Sequence, residues 1–134
     1  MLSDLREFIL DDSAVASLVG TRMYPVSLPQ AVTYPALTYS QVSGVRQYDL
    51  CGPTGRTKPR VSISSWARNY ADARALADAV RRALNGFVGT MGDSPGTTVN
   101  DAKIENEFDV FEEEADTKGV YRVMQDFILS HMED

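Results

Sequence analysis

The sequence predicts an α+β fold: an antiparallel or mixed sheet of four to five strands, with helices packed on one face. Three observations predict it. Arg60 to Phe87 reads as a strand followed by an Ala-rich amphipathic helix. Val99 to Phe111 alternates apolar and polar residues with period two. Two pairs of strand-like segments are separated by turn-forming residues, which makes each pair a hairpin.

The elements can be justified in order. Ser3 to Leu10 reads as a helix with Leu5, Phe8 and Ile9 on one side and Ser3 as a cap. Asp12 caps a second short helix, Ser13 to Val19, which Gly20 stops. A short strand, Thr21 to Val26, follows. Pro25, Pro29 and Pro35 then punctuate an extended connection, because proline blocks helix and central-strand pairing. Tyr34 to Ser43 is rich in β-formers, and Val45 to Leu50 continues it after a bend at Gly44. Cys51-Gly52-Pro53-Thr54-Gly55 turns the chain, and the return strand starts near Arg56 and runs to Trp66. This long hairpin has a polar tip carrying Arg46, Tyr48, Asp49, Arg56 and Lys58, and it is expected to project beyond the core.

Val61 and Ile63 point to one face of the return strand, and Arg60, Ser62 and Ser64 to the other. Asn69 caps the main helix, with Asp72 in its first turn, where a negative charge suits the dipole. Ala73, Leu76, Ala77, Val80 and Leu84 form one apolar stripe, and Asp78 and Arg82 form an i,i+4 pair on another face. Gly86 is the stop. Gly89 to Thr98 is rich in glycine and reads as a loop, with no phosphate-cradling Gly-Lys-Ser/Thr run.

Val99 to Phe111 is the cleanest strand by pattern. Ala102, Ile104, Phe108 and Val110 occupy one face; Asp101, Lys103, Glu105, Glu107 and Asp109 occupy the other. An acidic turn, Glu112 to Asp116 with Glu113 and Glu114, leads to the last strand, Val120 to Ser130. That strand puts Tyr121, Val123, Phe127 and Leu129 on one face. The expected core is Val61, Ile63, Leu76, Val80, Ile104, Phe108, Val123 and Phe127. Trp66 covers its edge, and its indole N–H calls for a hydrogen-bond partner.

Composition excludes several function classes. With 134 residues the chain is expected to be one domain, and 43% hydrophobic residues suit a packed core. Apolar runs fall far short of a membrane span, and the acidic N-terminus is unlike a targeting segment, so no membrane partner is expected. Cys51 is the only cysteine, so no internal disulfide can form, and His131 is the only histidine. Neither a Cys–His nucleophile pair nor a histidine-rich metal site is legible. The net charge of −6 disfavours tight binding to DNA, though not a wall past which DNA slides.

The order of elements resembles the tail-terminator (tail-completion) proteins of long-tailed bacteriophages. The resemblance is carried by Asp12-Ser13-Ala14-Val15, Leu18-Val19-Gly20 and Arg22-Met23-Tyr24-Pro25 with Pro29-Gln30. It continues through Tyr34-Pro35-Ala36-Leu37-Thr38-Tyr39, Ser64-Ser65-Trp66-Ala67, the helix with Ala73, Leu76, Ala77, Val80 and Leu84, and Tyr121 to Phe127. The resemblance implies a structural virion protein without enzymatic activity, cofactor or metal. It would form a hexameric ring on the tail tube, end tube polymerisation and offer the surface that joins head-tail connector proteins. DNA would pass through without specific binding, and assembly would occur in the bacterial cytoplasm.

On that implication, Asp101, Glu105, Glu107, Asp109, Glu112, Glu113, Glu114 and Asp116 are candidates to face the channel. The hairpin residues Arg46, Tyr48, Asp49, Arg56 and Lys58 are candidates to touch a neighbouring subunit or the tube. Other readings are a metal-dependent hydrolase using Glu105, Glu107, Asp109 and Glu112, another phage neck protein, and a small cytoplasmic adaptor of the same fold.

Overall fold

In a computed structural model, residues 2–43, 46–49, 52–92, 96–112 and 119–132 are described. Two helices open the chain, α1 (Leu2–Asp11) and α2 (Ser13–Val19). Asp12 caps α2 by accepting from the Val15 amide, as its position predicts. Strands β1 (Met23–Pro25), β2 (Ala36–Ser43), β3 (Arg46–Asp49), β4 (Gly52–Thr57) and β5 (Arg60–Ala67) follow. Helix α3 (Tyr70–Leu84) is capped by Asn69, which accepts from the Asp72 amide. Strands β6 (Gly89–Met91), β7 (Thr97–Glu112) and β8 (Val120–Met132) complete the chain.

The fold is α+β, with one mixed sheet of eight strands among the described residues. The count exceeds the expected four to five for two reasons. Each arm of the long hairpin is divided, into β2 and β3 going out and β4 and β5 coming back, the second break falling at Lys58 and Pro59. In addition, the glycine-rich stretch after α3 is not simply a loop: β6 pairs antiparallel with Thr97, Thr98 and Val99. The β1–β2 pair is parallel and the other pairs are antiparallel.

β8 organises the sheet. Residues Tyr121 to Ile128 pair with β5 on one side, and residues Val120 to His131 pair with β7 on the other. The hairpin β3–β4 joins the β5 side at the far end of β8, through Arg56 opposite Met132 and Thr57 opposite His131.

All three helices lie against one face. Leu76, Val80 and Leu84 of α3 join Leu5, Ile9, Val15, Val19, Leu37, Val61, Ile63, Phe127 and Leu129 in the main core. Ala73 and Ala77 are fully buried against Ala67 and Val123 in a second, smaller cluster. Small side chains here let the helix backbone approach the sheet closely.

Phe108 is not in the core; it is 40% exposed. Two β-bulges in β7 explain this. The register advances by two residues on β7 and one on β8 between Val99 and Asp101, and again between Ile104 and Asn106. Asn100 and Glu105 are therefore the extra residues, and each reverses the facing of everything after it. Ala102 and Ile104 face the helices opposite Leu129 and Phe127. Beyond Glu105 it is Glu107, Asp109 and Phe111 that face the helix side, opposite Gln125, Val123 and Tyr121. Phe108 and Val110 turn to the other face.

Candidate functional site

The acidic residues of β7 do not share one face. Asp101 and Lys103 lie on the face away from the helices, Glu105 sits at the bulge 3.8 Å from the Lys103 ammonium, and Glu107 and Asp109 point toward α3. Glu112 lies on the outer face, and Glu113, Glu114 and Asp116 fall outside the described residues. The set proposed as metal ligands is likewise divided. Among the described residues no three acidic, histidine or cysteine side chains come together in a metal-binding arrangement.

The bulge builds a polar cluster that periodicity conceals. Arg74 of α3 donates to Glu107 at 2.7 Å and to Asp78 at 3.2 Å, and lies 3.5 Å from Asp109. Burial works against the Arg74 charge, but hydrogen bonding and attraction from Glu107, then Asp78, outweigh it and hold its pKa above the ordinary arginine value. Asp78, expected to meet Arg82, meets Arg74 and Arg81 instead. The Tyr70 hydroxyl donates to Asp109 at 2.9 Å, and that bond is the main cause of a raised Tyr70 pKa.

Gln125 extends the cluster into the interior. It is fully buried, and its Nε2 donates to the Ala77 carbonyl at 3.0 Å and to Glu107 at 2.8 Å. A polar residue at a core-facing position of β8, between Val123 and Phe127, was the one sequence signal for this cluster. Its partner at Glu107 was hidden by the bulge.

The opposite face carries a second arrangement. The Trp66 indole N–H donates to Thr38 Oγ1 at 3.0 Å, which supplies the expected partner. The Arg122 guanidinium lies 4.6 Å above the Trp66 ring, donates to Ser64 at 3.1 Å and to Glu112 at 3.0 Å. Beside it runs an open groove of about 530 Å³ between the 28–34 connection and Trp66, Arg68 and Glu112. Arg68 lies 4.5 Å over Tyr34 at its rim. No sequence pattern pointed to this groove, because its two walls are 32 or more residues apart along the chain.

The hairpin forms, but its return strand starts earlier than the sequence suggests: Gly52 to Gly55, read as turn, belong to β4, where Gly52 pairs with Asp49 and Pro53 with Tyr48. Its strands β3 and β4 pair with each other and, at their base, with the end of β8. Arg46, Tyr48, Asp49 and Arg56 are described by their backbone alone; Lys58 is exposed; Leu50 and Cys51 lie outside the described residues.

The model of the family described as "Tail completion protein gp17" matches residues 3–129. The chain belongs to this tail completion family. It is thereby a structural protein of a phage tail. A chain in the solved structure "Virion of native gene transfer agent (GTA) particle" has the same fold: TM-score 0.73, 21% identity, 98% of this chain and 90% of that chain covered. Comparison with curated proteins returns no match.

Proposed function

We propose that this tail completion protein closes the end of a phage tail tube as a hexameric ring, ending tube polymerisation and presenting the surface that joins the head. The family match across residues 3–129 carries the reading. The β3–β4 hairpin supports it, because it joins the end of β8 through Arg56–Met132 and Thr57–His131 and leaves β3 with no strand on its other side among the described residues, as an edge for a neighbour or the tube. The role is structural and uses no cofactor. Ring assembly takes place in the host cytoplasm, and DNA crosses the channel without specific contacts.

Within the ring, Asp101 and Glu105 on the outer face are the acidic residues to face DNA, together with Glu113, Glu114 and Asp116, which lie outside the described residues; Glu112 is held by Arg122. Glu107 and Asp109 are engaged by Arg74 and belong to subunit stability. Negative walls repel phosphates and keep the moving genome from adhering.

Electron microscopy of the purified protein, alone and mixed with tail tubes, tests the reading. Six-fold rings seated at tube ends are the expected result. Purified protein that neither forms rings nor caps tubes would overturn it.

A further inference from the structure

The β7 strand has an open edge. On its free side β6 covers only Thr97 to Val99. Further along, the Gly86 amide bonds the Ala102 carbonyl at 2.7 Å, and Asn85 Oδ1 accepts from the Ile104 amide at 3.0 Å. The backbone groups of Ala102 and Ile104 thus face away from β8. The bulge at Glu105 shifts this parity, so those of Glu107, Asp109 and Phe111 face outward after it. Asn106 Oδ1 takes the Glu107 amide at 3.0 Å. Past that point no strand pairs with this edge among the described residues, and Phe108 and Phe111 stand beside it 40% and 48% exposed. A soluble protein ordinarily blocks such an edge.

The β3 strand has a second open edge. It pairs with β4 on one side and with no strand on the other among the described residues. Tyr48 lies opposite Pro53, which has no amide hydrogen, and Asp49 lies opposite Gly52 across a two-residue connection. The closing pair of such a hairpin exchanges the ladder bonds, so the Tyr48 amide faces outward.

The two edges sit at diagonally opposite corners of the sheet. The open part of β7 lies at the start of β8, and β3–β4 joins the end of β8 on its other side. Along a strand of 13 residues these are about 40 Å apart. The hairpin sequence is net basic, with Arg46, Arg56 and Lys58 against Asp49, and that of β7 from Glu107 onward is acidic, with Glu107, Asp109 and Glu112 before Glu113, Glu114 and Asp116.

We propose that the β3 edge of one copy adds as a strand to the β7 edge, Asp109 to Glu112, of the next. Donor and acceptor are different patches, so the contact is head-to-tail, and repetition closes a ring. This rests on the ring reading and names the surfaces that make it.

The test uses Phe111→Pro and Tyr48→Pro in the full chain. Each removes an outward amide hydrogen and leaves the internal ladder bonds in place. Phe111→Thr is the control that keeps the amide. Melting temperature and circular dichroism establish folding; sedimentation under conditions where the wild type forms rings reads assembly. Each proline variant alone should remain monomeric, and Phe111→Thr should still form rings. A one-to-one mixture of the proline variants should give dimers, because each retains the surface the other lacks. Rings from either proline variant, loss of rings in Phe111→Thr as well, or a mixture that stays monomeric would each overturn the proposal. Wild-type protein that forms no ring, alone or on tubes, would instead remove the reading on which it rests.

Discussion

At the scale of residues, burial separates two phenylalanines that sequence periodicity treats alike. Phe127 is fully buried in the main core, and Phe127→Ala is expected to cost about 3–5 kcal/mol by urea unfolding. Phe108 faces away from the helices, and Phe108→Ala should cost about 1 kcal/mol or less. Similar losses at both positions would contradict the bulged register. Arg74 balances three carboxylates while 30% exposed, so Arg74→Met should destabilise by about 1–2 kcal/mol at low salt and less at high salt. Tyr70 supplies a pH dependence. Its pKa is raised in the folded protein, mainly by the hydrogen bond to Asp109, so folding favours the protonated phenol. The resulting stability is complete below pH 10.0, the ordinary tyrosine value, and is lost as pH rises through the higher folded value. Melting curves of Tyr70→Phe against wild type should therefore converge at alkaline pH.

At the scale of elements, the bulge at Glu105 absorbs one extra residue of β7. Deleting Glu105 would remove the bulge and leave Asn106 to Glu112 opposite the same β8 residues, so Glu107 and Asp109 would still face α3, and Phe108 and Val110 the other side. The deletion variant is therefore expected to lose as much melting temperature on Arg74→Met as the wild type does; a lost response would show that β7 slips against β8 when the bulge is removed. Helix α3 makes a different demand. Ala73 and Ala77 are fully buried under it, and Ala77→Leu should cost about 1–3 kcal/mol through overpacking, measured by urea unfolding.

At the scale of the whole molecule, the helices occupy one face of the sheet and leave the hairpin and the β7 edge at opposite corners. The acidic surface is testable at this scale. Replacing Asp101 and Glu105 together by Lys should leave ring formation intact and give particles that retain DNA at the neck and eject it slowly. Normal ejection would leave these residues a solubility role only. The matching replacement of Glu107 and Asp109 should act on stability, because Arg74 would then face two added cations.

The sequence by itself determined the local elements. The caps Asp12 and Asn69, the stop after Val19, the α3 stripe, the long hairpin and the alternating last strand all follow from rules acting within a few residues. The order of those elements was enough to expect the tail completion family. Tertiary structure decided the facing of β7. A bulge is set by the partner strand and by the helix above it, and a single extra residue inverts period-two inference downstream. The Arg74–Glu107–Gln125 cluster, the groove beside Trp66 and the two open edges share that origin: each depends on residues far apart in the chain, whose proximity the strand order alone creates.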